Sequence, residues 1–204
     1  FIINEINEKF GNINLVALGP LTNIANSLQQ DPSIVSKVNS LLIMGGSWLA
    51  GGNITPVAEA NIYNDPEAAE IVFKSGLPIV MVGLDVTHKV FLSQKDIDKL
   101  SSLNNSGKFL EKISKIYIKF YKDTRNMNGC FFHDATAVIA MTNPEFFKYK
   151  NARVYVSQEN LTRGQTVVYL KDLNHETEIN DNRSFVQVLY DVESKNVISE
   201  YLKI

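Results

Sequence analysis

The sequence has one cysteine, a small net charge and no long apolar run, and each of these features argues against one class of protein. A single cysteine, Cys130, occurs among 204 residues, so no disulfide can form within the chain. This is typical of a reducing compartment, and we expect a cytoplasmic protein. The formal net charge of −2 does not favour a nucleic-acid partner. No apolar run reaches the ~18 residues that a membrane-spanning helix needs, so no membrane contact is predicted.

The beginning of the chain lacks a methionine and the features of a signal peptide. Residues 1–11 are amphipathic, without an apolar core or a small-residue cleavage site. We interpret this segment as the middle of a helix whose start is missing. The 204 residues are 45% hydrophobic and 21% charged, which suits one α/β domain with a sizeable core. We therefore predict a single domain over residues 1–204.

Short apolar runs alternate with segments of helical periodicity along the chain. Strands are predicted at residues 14–18, 40–44, 78–82, 153–156, 165–170 and 185–189. Helices are predicted at residues 21–28, 66–75, 94–100, 133–141 and 191–203, with Asp65 and Ser93 as N-caps. Because strands and helices alternate, we expect an α/β fold with a parallel sheet.

A longer helix is predicted after Gly107. Apolar residues recur there at spacings of four, three and four, which is typical of a helix face that packs on a core. The residues of this stripe are Phe109, Ile113, Ile116 and Phe120.

The same helix carries a second stripe, Tyr117, Tyr121 and Arg125, at i, i+4 and i+8. One interpretation is a partly buried amphipathic face with a solvated arginine. The other is an aromatic and cationic wall beside a heteroaromatic ligand. The separate apolar stripe weakens the first interpretation.

Residues 51–62 form a predicted loop that is unusually rich in polar groups. Asn53, Glu59 and Asn61 can each hydrogen-bond hydroxyl groups, and their convergence would suit a polyhydroxylated ligand such as a sugar. Turns and caps that hold a long loop together explain the same residues about as well.

Two short motifs lie where the first two predicted strands end. The ALGPLTN motif at residues 17–23 joins a strand to a helix, but it is not a G-x-G-x-x-G phosphate loop. A tight turn capped by Thr22 or Asn23 is its simpler interpretation. The MGG motif at residues 44–46 permits close approach of a ligand, or it is a plain turn after a core residue, Met44.

His133 and Asp134 open the helix predicted at residues 133–141. A carboxylate in the first helical turn has a structural explanation in capping and in the helix dipole. It also suits a hard cation, and a neighbouring histidine suits general acid catalysis. Spacing alone favours the cap. His88 and His175 have no predicted partner, so we interpret both as capped or solvated.

Six motifs, taken in this order, resemble the inosine–uridine-preferring nucleoside hydrolases: ALGPLTNIA, LLIMGG, GGNITPVAEANIYNDPEAA, VGLDVTH, FFHDATAV and LTRGQTV. The similarity covers residues 15–168 and continues more weakly to the end. The resemblance implies an open, mainly parallel sheet with helices on both faces, an active site at the strand carboxyl ends, and one bound Ca²⁺. It also implies hydrolysis of the N-glycosidic bond of ribonucleosides such as inosine or uridine, by a homodimer or homotetramer.

The matched motifs imply roles for ten residues. His133 corresponds to the proposed acid that protonates the leaving base. Asp134 corresponds to a calcium carboxylate ligand, and Leu18 to a position whose backbone carbonyl also binds the metal. The residues that correspond to substrate-binding positions are Met44, Asn53, Glu59, Asn61, Tyr117, Tyr121 and Arg125. The last three match a mobile helix that closes over the nucleobase.

The sequence departs from the family pattern in two respects. Ala60 stands where a phenylalanine usually follows the ribose-binding glutamate. The family's N-terminal D-x-D-x-x-x-D-D cluster, which supplies the other calcium ligands and the base that activates water, is absent, and so is an N-terminal histidine. The only D-x-D pattern, Asp96 with Asp98, opens a predicted surface helix. We therefore expect a fragment, the C-terminal two thirds of a hydrolase, that is inactive by itself. The alternative is a non-catalytic nucleoside- or ribose-binding protein.

Overall fold

A six-stranded sheet flanked by helices, with a separate two-stranded ribbon, forms the fold of the computed structural model, which describes residues 1–170 and 182–203. The strands are β1 Ile13–Ala17, β2 Val38–Met44, β3 Ile79–Val82, β4 Phe91–Ser93, β5 Gly129–Phe131, β6 Phe147–Val156, β7 Thr166–Leu170 and β8 Val186–Val192. The helices are α1 Ile2–Glu8, α2 Thr22–Gln30, α3 Ala60–Asn64, α4 Pro66–Lys74, α5 Leu84–Thr87, α6 Gln94–Leu103, α7 Asn105–Arg125, α8 His133–Thr142 and α9 Ser194–Tyr201. None of the described helices combines the length and apolar character needed to cross a lipid bilayer.

The strand order of the large sheet is β1-β2-β3-β8-β6-β7. The first four strands pair in parallel, whereas β6 runs antiparallel to both β8 and β7. The predicted α/β fold with a mainly parallel sheet is therefore confirmed. Because β1, β2 and β3 are parallel, their carboxyl ends lie at one edge, where α/β enzymes bind ligands.

Helices cover both faces of the sheet, as consecutive residues of β2 show. Leu41 and Ile43 belong to a core cluster that includes residues of α1, α2 and α4. Leu42 and Met44 belong to a second cluster, with residues of α5, α8 and α9. Because successive strand residues point to opposite faces, the two clusters lie on opposite sides of the sheet.

The apolar stripe predicted to face the core lies on the solvent side of α7, so that prediction is wrong. Exposed fractions are 62% for Phe109, 51% for Ile113, 81% for Ile116 and 53% for Phe120. The periodicity correctly indicated a helix with one apolar face, but not which face packs.

The buried face of α7 is formed by Gly107, Ile118 and Tyr121. A side chain at Gly107 would place a Cβ 1.9 Å from the carbonyl oxygen of Leu100, so only glycine permits this approach of α6 to α7. The predicted helix start is also corrected. The helix begins at residue 105, where Asn104 caps it by accepting a hydrogen bond from the Gly107 N–H at 2.9 Å.

Other predicted elements differ mainly at their ends. The predicted loop 51–62 ends in α3, which begins at residue 60 because Glu59 caps it. The last strand continues to residue 192, so the final helix begins at residue 194 rather than 191. The β4–β5 pairing was not predicted. Asp65 and Ser93 are N-caps, as predicted. His175 lies outside the described residues.

Candidate functional site

An open cavity of about 300 Å³ lies at the carboxyl ends of β1 and β2, between the loop 51–62, α7 and the start of α8. Its lining residues are Leu18, Met44, Asn53, Ile54, Glu59, Ala60, Asn61, Tyr117, Phe120, Tyr121, Arg125, His133 and Asp134. All ten residues singled out in the sequence are among them. Another cavity, of about 270 Å³, lies between α2 and α4, but no carboxylate or imidazole lines it.

Glu59 is 2% exposed, and its carboxylate links the turn after β2 to the start of α3 through hydrogen bonds. Its Oε1 accepts a hydrogen bond from the Asn61 N–H at 2.9 Å, and its Oε2 accepts from the N–H groups of Gly46 and Ile62, both at 3.1 Å. Burial raises the pKa of this carboxyl above its usual range, and the backbone donors oppose that rise. The capping role considered for the loop is therefore present.

Gly46 is needed at the turn after β2. Its φ of +77° is in the left-handed region that favours glycine, and a Cβ there would lie 2.8 Å from the Met81 Cε. The glycine thereby brings the Gly46 N–H to the carboxylate of Glu59.

Asn53 and Asn61 each use one end of the amide to hold backbone. The Asn53 Oδ1 accepts from the Ala60 N–H at 2.9 Å. The Asn61 Nδ2 donates to the carbonyl of Met44 at 3.0 Å and to that of Leu18 at 3.5 Å. Among the described residues, neither the Asn53 Nδ2 nor the Asn61 Oδ1 has a hydrogen-bond partner. One donor and one acceptor therefore remain for a ligand.

His133 contacts two hydroxyl groups through its two ring nitrogens. The Nδ1 lies 2.8 Å from the Thr87 Oγ1, and the Nε2 lies 3.3 Å from the Tyr121 hydroxyl. Burial, followed by His88 and Arg125, lowers the pKa of His133 to about 4. The free imidazole is therefore neutral at pH 7.

Asp134 lies in the first turn of α8 and is exposed at the cavity. The N-cap of this helix is Phe132, and no side chain caps it by a hydrogen bond. Within the described ranges, no donor contacts the Asp134 carboxylate, and burial alone raises its pKa. The capping interpretation of Asp134 is therefore not supported, and the carboxylate is available to a ligand.

The second stripe of α7 forms the aromatic wall of the cavity. The rings of Tyr117 and Tyr121 meet edge to face, with centroids 5.1 Å apart. The Arg125 guanidinium lies 5.9 Å from the Tyr121 ring centroid. Tyr121 is only 5% exposed, whereas Tyr117 is 43% exposed. One tyrosine is thus part of the core beneath α7 while both line the cavity.

Sequence reasoning missed several residues that shape this site. Ile54 and Phe120 line the cavity mouth and are both more than half exposed. Thr87 contacts His133, and the Asp85 carboxylate accepts from the backbone N–H groups of the segment after β2. Thr87 and Asp85 both belong to the VGLDVTH motif, but nothing in the spacing of that motif indicated their partners.

Comparisons with known proteins point to one family. The model of the inosine-uridine preferring nucleoside hydrolase family matches residues 1–199. A probable uridine nucleosidase 1 from Oryza sativa subsp. japonica is 35% identical over 202 residues, covering 98% of this chain and 62% of that protein.

Solved structures with the same fold include two nucleoside hydrolases. A plant enzyme, PpNRh1, has a TM-score of 0.92 and 34% identity, covering 97% of this chain and 63% of its own. A purine-preferring ribonucleoside hydrolase from Gardnerella vaginalis has a TM-score of 0.89 and 34% identity, covering 99% and 63%. The chain thus spans less than two thirds of the length of each of these relatives.

Proposed function

We propose that this chain, which belongs to the inosine-uridine preferring nucleoside hydrolase family, forms the sugar- and base-binding part of an enzyme that hydrolyses ribonucleosides. The products would be ribose and a free purine or pyrimidine base. The observation that carries the proposal is the single cavity that unites a free carboxylate, two half-used amides, an imidazole and an aromatic wall.

The polar floor of the cavity supports a ribose-binding role. The Asn53 Nδ2 is a donor and the Asn61 Oδ1 an acceptor, and the hydroxyl groups of a sugar supply the matching acceptor and donor. Met44 packs at the end of β2, beneath the Asn61 amide that holds its carbonyl. The Glu59 carboxylate fixes the backbone of Gly46, Asn61 and Ile62 beside these amides.

The aromatic wall supports a base-binding role. Tyr117 and Tyr121 offer ring surface to a flat heterocycle, and Arg125 adds a positive charge at the same side. Ala60 also lines the cavity and fills less of it than a phenylalanine would.

Hydrolysis adds water across the C1′–N bond. The bond electrons leave with the base nitrogen, which gains a proton, and the water oxygen bonds C1′ and loses a proton. The Asp134 carboxylate, which lines the cavity, would stabilise the positive charge that develops on a sugar bound there. In this proposal the His133 imidazole donates a proton to the departing nitrogen as negative charge develops there, and the proton that the attacking water loses replaces it.

Calcium is the proposed cofactor, and the residues present fit it only in part. Asp134 and the Leu18 carbonyl are hard oxygen donors of the kind that Ca²⁺ prefers, but the ion takes about 6–8 oxygens. Within residues 1–170 and 182–203, no cluster of three or more histidine, cysteine, aspartate or glutamate side chains could hold a metal. The remaining oxygens would have to be water, backbone or amide carbonyls, or ligands from outside these residues. A bound calcium ion would supply positive charge that favours ionisation of the attacking water.

The proposal extends to the oligomeric state and the cellular compartment. We expect a homodimer or homotetramer in the reducing cytoplasm, with a small ribonucleoside as the ligand. The one cysteine is buried and free, which suits that compartment.

The decisive experiment joins the N-terminal segment of the rice relative to this chain and measures base release from uridine and inosine with Ca²⁺ present. We expect turnover, and its loss in an Asp134→Asn variant that still folds. A folded fusion that binds nucleosides without releasing base from any of them would favour the non-catalytic binding protein instead.

A further inference from the structure

We propose that Thr87 is a positioning residue that holds the His133 ring and places the proton of the neutral imidazole on Nε2, on the side of Tyr121 and the cavity. Its meaning for catalysis rests on the proposed function, whereas the placement of the proton does not.

Thr87 is the last residue of α5, directly beyond β3, and its exposed fraction is 0%. Its backbone N–H donates to the Gly83 carbonyl at 3.1 Å. Its Oγ1 lies 2.8 Å from the His133 Nδ1. Because a buried hydroxyl group without an acceptor for its proton is costly, the direction of this hydrogen bond can be argued.

The usual acceptor for a helical threonine hydroxyl is the carbonyl four residues earlier. Thr136, for example, donates to the Phe132 carbonyl in this way. For Thr87 that carbonyl belongs to Gly83, and it already accepts two N–H groups, those of residues 86 and 87. Its two lone pairs are therefore occupied.

Among the described residues, the Thr87 hydroxyl has one remaining acceptor, the His133 Nδ1. The hydroxyl therefore donates to Nδ1, which must be unprotonated. A neutral imidazole carries one proton, so that proton is on Nε2. The Nε2 lies 3.3 Å from the Tyr121 hydroxyl, which accepts it in the free state.

Neighbouring rings confine the imidazole, and among the described residues neither of them is hydrogen-bonded to it. The His133 ring centroid lies 5.6 Å from that of His88 and 6.2 Å from that of Phe131. The neighbouring rings therefore restrict the orientation of the His133 ring. The hydrogen bond to the Thr87 hydroxyl determines which ring nitrogen faces the cavity. A leaving base needs a donor on that side, and the Nε2–H is the donor that this hydrogen bond provides.

The test uses the intact chain labelled with ¹⁵N-histidine, without nucleoside, in long-range ¹H–¹⁵N correlation spectra at pH 7.5. Only three histidines are present, so His88→Gln and His175→Gln variants assign the His133 signals. We expect the Nε2-protonated pattern, with a Nδ1 resonance shifted by its hydrogen bond. Thr87→Ser should keep both features, and Thr87→Val, of similar shape, should lose the hydrogen-bond shift of Nδ1. A wild-type His133 protonated on Nδ1, or a Thr87→Val spectrum identical to wild type, would overturn the proposal.

A kinetic arm on the fusion described above tests the catalytic meaning separately. Thr87→Val should lower kcat for inosine roughly tenfold with little change in KM, and Thr87→Ser should restore it. A fusion that turns over nucleosides equally well with Thr87→Val would refute the catalytic part. A fusion with no turnover at all would count against the proposed function, while the spectra would still decide the position of the proton.

Discussion

Asp85 offers the sharpest test of how the cavity is built, because one carboxylate there holds three successive backbone groups. It is 8% exposed and lies in α5. Its Oδ2 accepts from the Trp48 N–H at 2.7 Å, and its Oδ1 accepts from Leu49 at 2.7 Å and Ala50 at 3.1 Å. These bonds fix the segment that leads from β2 into the cavity loop.

The perturbation is Asp85→Asn, which keeps the shape but replaces one oxygen with a donor. The best placement leaves the amide oxygen towards Leu49 and Ala50, so the Trp48 N–H loses its acceptor. An unpaired buried donor costs about 1–3 kcal/mol, and the remaining bonds are weaker because the acceptor is neutral. A chain of this size should lose roughly 2–10 °C in Tm. Asp85→Ala should lose more, since it removes all three acceptors.

The assay is urea unfolding followed by fluorescence of Trp48, the only tryptophan and itself a partner of Asp85. The matched control is Asp98→Asn, at an exposed residue whose carboxylate accepts from the Gln94 side chain. We expect the control to stay within about 0.5 kcal/mol of wild type. Unchanged stability and unchanged Trp48 emission in Asp85→Asn would refute the assigned hydrogen bonds.

Three further predictions follow from the structure. Ile116→Ser should change the free energy of unfolding by less than about 0.5 kcal/mol, because Ile116 is 81% exposed. Ile118→Ala should cost about 2–5 kcal/mol, because Ile118 is 6% exposed. Equal effects of the two variants in urea unfolding would contradict the assigned buried face of α7. Gly107→Ala should destabilise the chain by more than 1 kcal/mol, since its Cβ would meet the Leu100 carbonyl at 1.9 Å, and a wild-type Tm would contradict this packing. Calorimetric titration of this chain should give a Ca²⁺ dissociation constant above about 10⁻³ M, with weaker binding still in Asp134→Asn; micromolar binding would contradict the ligand count.

The sequence predicted the alternation of strands and helices well, because buried parallel strands and their capped helices have local signals. Asp65 and Ser93 were identified as N-caps from residue type and position alone. The face on which α7 packs was not predictable in the same way. The buried side of α7 depends on Gly107, because the absence of a side chain there lets α6 approach closely. A pattern of apolar side chains cannot indicate such a position.

The site was predicted as a set of residues, through motif resemblance, but not as a set of contacts. Spacing within residues 51–62 could not decide between sugar binding and loop capping. The structure shows that Asn53 and Asn61 each hold backbone with one end and leave the other end without a described partner. The two interpretations were therefore not exclusive. Contacts such as that of Thr87 with His133 join distant segments, and only the fold brings them together.

Asp134 differs from the other carboxylates near the strand ends in what already contacts it. Glu59 and Asp85 each accept three backbone N–H groups, and Asp65 accepts from the Ala68 N–H and the Thr22 hydroxyl. Within the described part of the chain, no donor reaches the oxygens of Asp134. A carboxylate that already satisfies backbone donors would have to release them before it could bind a cation, and the freed donors would lose their partners. Asp134 can bind a cation without that cost, which supports the proposal that it is a metal ligand, and a single such carboxylate is expected to bind calcium only weakly.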